Sequence, residues 1–246
     1  MDNTTYIALS RIDTEMRAMS VLANNLSNAS TPGFKASHVL FSDYLVKMKG
    51  EHTTPGAATE AYNQDKATYH DFAQGALQQT GNSLDAAITG DGYFSVMTRD
   101  GVRLTRNGRF QRLSDGRITD SAGDALLDRT GQPVTLQPTD RTVSIASDGT
   151  VSTENGVAAE IGVVTVDNAY TLVGEGSQLF RATTATRQMT NRDIREGMVE
   201  GSNVNSMTEM TQLVQLQRDF EFNTNLIESE ATRKQNAIDK ITQLQS

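Results

Sequence analysis

The stretch SNVNSMTEMTQLVQLQRDFEFNTNLIESEATRKQNAIDKITQLQS, residues 202–246, decides the architecture. Leu213, Leu216, Phe220, Asn223, Ile227, Glu230, Lys234, Ala237, Ile241 and Leu244 alternate steps of three and four, which places them on one stripe of a helix. Neither proline nor glycine interrupts the run after Ser202. A helix of roughly 40 residues, rising about 60 Å, is therefore predicted. That is well beyond the length of an ordinary globular helix. Asn223, Glu230 and Lys234 are polar, so an isolated two-stranded coiled coil on this stripe would be weak. A long helix with several different contacts in an assembly is the leading reading; a break near Asn223–Thr224 is the alternative.

Working outward, the opposite end of the chain carries the same signal. Leu9, Ile12, Met16, Met19, Ala23 and Leu26 step by three and four, and Thr5 extends the series backwards. Asn28, Ser30, Thr31, Pro32 and Gly33 then stop the helix, because Pro32 biases Thr31 away from helical geometry. Between the ends the period changes to two. Segments 93–97, 108–113, 143–146, 160–166 and 170–173 are short, rich in β-branched or aromatic residues and largely alternating. Asp100-Gly101, Asn107-Gly108, Asp115-Gly116, Asp148-Gly149 and Asn155-Gly156 punctuate them as turn signals.

The expected fold is mixed α+β and mainly β, with an antiparallel β domain inserted between N- and C-terminal helices that pair in a coiled-coil-like stem. The expected divisions are an N-terminal helix over 1–34, an irregular or extended linker over 35–74, the β domain over 75–185, a connector over 186–201 and the long helix over 202–246. Terminal helices that cannot bury their stripes alone must pair with each other or with neighbours.

Composition removes several function classes. The 246 residues include no cysteine, which excludes disulfides, thiolate nucleophiles and cysteine-held metal sites. His38, His52 and His70 lie in separate segments without metal-ligand spacing. Lys plus Arg total 22 against 30 Asp plus Glu, a net charge of -8, which disfavours a polyphosphate partner. The chain start lacks a basic and apolar leader, and no window has the length of a bilayer-spanning helix. Neither membrane insertion nor nucleic-acid binding is expected.

Catalytic motifs of the phosphate-loop, nucleophile-elbow and zinc-helix types are missing. Gly90-Asp91-Gly92 precedes a strand and reads as a tight turn. Asp115, Asp120 and Asp124 have the wrong spacing for a calcium loop. Arg99, Arg103, Arg106, Arg109, Arg112 and Arg117 form the basic cluster, read as a solvated or interface-facing sheet surface, with pairing to a neighbouring subunit as the alternative. No enzyme activity, metal or cofactor is expected.

The segment ANNLSNASTPGFK, residues 23–35, resembles the signature of bacterial flagellar basal-body rod and hook proteins. Three further segments follow in the family's order. These are 72–96, then Thr105-Arg-Asn-Gly-Arg-Phe110 with Asp115-Gly116, and then Glu200-Gly-Ser-Asn-Val-Asn205 with Glu209-Met210 and Gln217–Glu221. Ala73 and Ala86-Ala87 are mild departures from the pattern. The resemblance implies a structural subunit exported by the flagellar type III apparatus without a cleaved signal. It would assemble helically with itself and with other rod proteins, distal and small proximal ones, to transmit torque across the periplasm. Length and the opening MDNTTYIAL favour the proximal-rod member over its distal relative. A soluble adaptor built on a discrete dimer is the reading from another class.

On this basis Leu9, Ile12, Met16, Met19 and Leu26 are expected to bury against Leu213, Leu216, Phe220 and Ile227. Asn24, Asn25 and Asn28 are expected to cap the helix exit or bond nearby backbone, since Asn competes for backbone groups. Pro32 and Gly33 redirect the chain, Phe34 anchors it, and Gly81, Gly90, Gly92, Gly108 and Gly116 serve turns.

Overall fold

The computed structural model describes residues 3–47, 59–176, 178–190 and 192–243. Helix α1 runs Asn3–Ser27 and helix α2 runs Ser206–Gln243 without a break. The start of α2 is set by Asn205, whose Oδ1 accepts the backbone N–H of Met207 at 3.1 Å and of Thr208 at 3.3 Å. This is the N-cap arrangement that satisfies otherwise orphaned helix donors. The side chains of Thr5, Ile241 and Leu244 lie outside the described residues.

The chain divides into two units. One comprises residues 1–26, 37–69 and 205–246; the other comprises 27–36 and 70–204. In the first unit the segment read as an irregular or extended linker contains two strands, β1 (Ser37–Lys47) and β2 (Thr59–His70), paired as a two-stranded ribbon. Neither strand gives a two-residue hydrophobic period: the apolar residues of β1 come in two blocks, 39–41 and 44–46, and β2 is mostly polar.

The second unit is mainly β, with one short 3-10 turn at Ala169–Thr171, and its ladders are antiparallel. Its largest sheet centres on Tyr93–Thr98, hydrogen-bonded to Gly101–Thr105 on one side and Ala125–Leu126 on the other. Val163–Thr165 also pairs with it. Tyr93, Phe94, Ser95 and Val96 are all buried, because both faces of this central strand are covered. Phe94 and Val96 belong to a core with Phe110, Ile118, Leu126, Ile161 and Ile194. Tyr93 packs on the other face with Leu104, Val164, Leu172 and Phe180. Burying each such side chain contributes about 1.5–3 kcal/mol.

Other expected strands are shorter than the pattern suggests. Segment 108–113 is strand only at Gln111–Arg112, and segment 160–166 divides between Gly156–Glu160 and Val163–Thr165. The mixed α+β class, with terminal helices flanking a larger antiparallel β region, is as the sequence indicates.

Candidate functional site

Two polar constellations stand out, one in each unit. In the β unit, Glu200 is 1% exposed and its carboxylate is fully engaged. Oε1 accepts Lys35 Nζ at 2.6 Å and the Gly75 N–H at 3.0 Å, while Oε2 accepts Arg106 Nη1 at 3.0 Å. Lys35 Nζ also donates to the Ala73 carbonyl at 2.7 Å. Arg106 Nη2 donates to the Gly90 carbonyl at 2.6 Å, and its guanidinium lies 5.0 Å over the Tyr93 ring. Two cations thus share one carboxylate in a dry site. Burial pushes the Lys35 amine below its usual range, against the opposing pull of Glu200. Burial also raises the Tyr93 phenol to about 12, with Arg106 opposing.

Backbone converges around these charges. The Gly33 N–H donates to the Glu200 carbonyl at 2.8 Å. Gly33 adopts φ 71°, and a Cβ there would sit 2.3 Å from the Asn107 nitrogen, so glycine is required twice over. Asn203 gathers three passages of chain: its Oδ1 accepts the Ala36 N–H at 2.7 Å, and its Nδ2 donates to Asp71 O at 2.8 Å and Ala73 O at 3.2 Å. Asp71 N–H closes the ring on Ala36 O at 2.8 Å.

In the helical unit, α1 and α2 run antiparallel, tied at two points. Asn223 Nδ2 donates to Glu15 Oε1 at 2.7 Å, and Asn25 Nδ2 donates to Glu209 Oε2 at 3.1 Å. All four residues are buried. Asn25 also holds Ser37 of β1 through both backbone groups, donating to its carbonyl at 2.8 Å and accepting its N–H at 2.9 Å. A groove of about 310 Å³ is lined by Ala18, Leu22, His38, Gln215, Leu216 and Asp219 among others.

The residues singled out from sequence divide accordingly. On α2, Leu213, Leu216, Phe220 and Ile227 are half-buried and Asn223 is buried, along one stripe. On α1, Ile12, Met19 and Leu26 are half-buried, but Leu9 and Met16 are 57% and 56% exposed, contrary to the expected burial. The actual stripe passes through Ala8, Ile12, Glu15, Met19, Leu22 and Leu26. The buried bond from Asn223 turns Glu15 inward, which rotates its flank, Leu9 and Met16, outward.

Asn25 bonds backbone, while Asn24 is exposed; Asn28 O accepts Thr31 N–H at 3.0 Å in the turn that leads to half-buried Pro32 and buried Phe34. Gly81, Gly90 and Gly116 have positive φ. Gly92 and Gly108 do not, and neither lies within a turn or bend. Gly92 packs against Val163 and Met189, and a Cβ on Gly108 would lie 1.6 Å from the Ala86 carbonyl oxygen.

The arginine cluster divides: Arg99, Arg109 and Arg117 are exposed, as a solvated face requires, whereas Arg103 and Arg106 are buried and Arg112 is half-buried. Besides Arg106, Arg103 pairs with Glu175 at 2.5 Å, Arg112 donates to Asp140 and Gln137 carbonyls, and Arg117 pairs with Asp115 at 2.6 Å. Asp120 Oδ1 accepts the N–H groups of Ala122 and Asp124, closing a turn. Among the described residues no group of three His, Asp or Glu side chains is placed to hold a metal ion. Sequence reasoning gives no site role to Lys35, Glu200, Glu15 or Asn203, and it reads Arg106 as part of a surface cluster, whereas Arg106 is buried against Glu200. Lys35, Arg106, Glu200 and Asn203 each sit inside a signature segment, but their partners are distant in sequence.

Comparison with known proteins accounts for this layout. Residues 6–35 match the family described as flagella basal body rod protein, 87–153 the flagellar hook protein FlgE/F/G D1 domain, and 195–239 the flagellar basal body rod FlgEFG protein C-terminal. The three matches contain Lys35, Arg106 and Glu200 respectively. Relatives include the flagellar basal-body rod protein FlgF of Caulobacter vibrioides, 33% identical over 98% of both chains. FlgF of Mesorhizobium japonicum is 32% identical over 97% of both. FlgG of Bacillus subtilis is 30% identical over 92% of this chain and 94% of its own. Three family matches spread along the chain, and relatives at 30–33% identity over more than nine-tenths of it, show that the chain belongs to the flagellar basal-body rod protein family, FlgF/FlgG.

Proposed function

We propose that this chain is the proximal-rod subunit, the FlgF of its flagellum, and that it acts by assembly and not by catalysis. The observation that supports the reading is the agreement with FlgF of Caulobacter vibrioides and of Mesorhizobium japonicum, 33% and 32% identical over 97–98% of each chain, against 30% over 92% and 94% in the match to FlgG of Bacillus subtilis. Its partners are further copies of itself, the distal rod protein and the small proximal rod proteins. The flagellar type III apparatus exports it without a cleaved signal, and the assembled rod spans the periplasm and transmits torque.

The helical unit supports an assembling role. Met207, Met210, Val214, Phe222 and Leu226 are 75%, 51%, 43%, 69% and 42% exposed. At about 100° per residue, Met207, Val214 and Phe222 lie on the side of α2 away from the stripe that faces α1, and Met210 and Leu226 lie on its two flanks. A helix with apolar residues outside its paired stripe suits more than one neighbour, and unlike contacts on successive copies build an open filament.

Electron cryomicroscopy of purified basal bodies tests the assignment by tracing this sequence in side-chain density. The expected result is density in the proximal rod. Density confined to the distal rod would reassign it as the FlgG-like subunit, and absence from every axial layer would favour the soluble adaptor. Phe220→Asp should abolish rod assembly while leaving the β unit folded; normal assembly of that variant would refute the role of the helix pair.

A further inference from the structure

We infer that the two buried Asn–Glu bonds form a reciprocal code that fixes both the direction and the register in which α1 and α2 pair. The carboxylate comes from α1 at one bond, Glu15 with Asn223, and from α2 at the other, Glu209 with Asn25. The donors and acceptors therefore alternate between helices. Glu15 is 8% exposed, Asn25 0%, Glu209 6% and Asn223 7%, so water does not replace a lost partner. A buried polar group without a partner costs far more than an apolar contact out of place.

Reversal of one helix is penalised by the same arrangement. With α1 and α2 parallel and these positions facing, Glu15 would meet Glu209 and Asn25 would meet Asn223. Two carboxylates would then share a dry seam. A slip of one turn, about 5.4 Å, would separate every donor from its acceptor. The surrounding apolar residues do not discriminate in this way, because Ile12, Met19, Leu22, Leu213, Leu216 and Phe220 can interdigitate in several registers. Single buried polar positions are known to set register in helix pairs at some cost in stability. Glu15 Oε2 shows that cost here, since it is buried with no hydrogen-bond partner. Arg11 reaches only the other oxygen, at 3.8 Å.

The code concerns pairing itself and does not depend on where the chain assembles. The chain has no native cysteine, so an introduced pair reports pairing cleanly. Ala18→Cys with Asp219→Cys places two thiols on the same groove. The full-length chain bearing this pair is treated in its native cells with a short bis-maleimide, and swimming is scored in the same strains.

Glu15→Asn and Asn223→Glu, each alone, should lower the cross-link yield at least fivefold, the second more because it sets a second carboxylate against that of Glu15. The exchange Glu15→Asn with Asn223→Glu together should restore the yield to within twofold of the parent. Parent-like yields in both single variants, or failure of the exchange to restore the cross-link, would overturn the inference. Cross-linking restored without swimming would leave the code standing and count against the rod assignment.

Discussion

Glu200→Gln removes the one carboxylate that faces both Lys35 and Arg106, whose side chains are 1% and 4% exposed. Glutamine retains the shape and can still accept from Gly75, but it strands two cations in a site without solvent. Breaking a buried pair costs about 3–5 kcal/mol, and about 4 kcal/mol is expected here. At about 2–4 °C per kcal/mol for a unit of this size, the β unit should melt about 8–16 °C lower. Lys35→Met is the informative contrast. It leaves Arg106 and Glu200 as a balanced pair, Glu200 Oε1 keeps the Gly75 N–H, and Ala73 O keeps Asn203 Nδ2. Its cost should stay below about 1.5 kcal/mol, the size of one ordinary hydrogen bond. Differential scanning calorimetry of the full-length chain reads both variants, the absence of tryptophan making fluorescence a poor probe. Equal losses in the two variants, or a loss below about 1 kcal/mol in Glu200→Gln, would refute the charge count on which the reasoning rests.

Other tests follow from the same geometry. The Tyr93 phenol is pushed up to about 12, so the folded state keeps a proton that the unfolded chain releases near 10. Stability should therefore fall by about 1.4 kcal/mol per pH unit between those values, and Tyr93→Phe should remove that slope in urea titrations. Burial holds His70 below its ordinary value of 6.5, its ring edge-on to Phe180 at 5.3 Å. The unfolded chain then binds a proton that the folded chain refuses, so stability should decline as pH falls below about 6.5. His70→Phe should flatten that decline, and an unchanged acid slope would count against it. Gly33→Ala combines a left-handed φ with a Cβ 2.3 Å from Asn107 N. A loss of at least about 3 kcal/mol in chemical denaturation is expected.

The α2 stripe is legible because its three-and-four spacing holds through both apolar and polar members. Even Asn223, which looks like a flaw in the pattern, lies on the buried line. The α1 stripe reads one position off at Leu9, Met16 and Ala23, because hydrophobicity favours Met16 over its neighbour Glu15. Only the partner on α2 explains why a carboxylate faces inward. The central strand at 93–98 is visible from its aromatic and β-branched residues, whereas short ladders such as Ala86–Ile88 with Ile194–Glu196 depend on pairing across more than 100 residues. The charge cluster is hidden for the same reason. Lys35, Arg106 and Glu200 are ordinary surface residue types until the fold brings both cations within 3.0 Å of the carboxylate. Gly108 shows the limit of turn rules: Asn-Gly predicts a hairpin, but the residue is glycine to let the Ala86 carbonyl pass.

The Asn203 ring bears on how such chains can diversify. It holds the backbone at Ala36, Asp71 and Ala73 with one amide, so the points where the chain enters and leaves the β unit lie side by side. A segment whose ends already meet can be lengthened, trimmed or exchanged without moving its attachment. The β unit can thus be treated as a cassette, and grafts between family members should be cut beside Ala36, His70 and Val204 and should keep Asn203 and its acceptors intact.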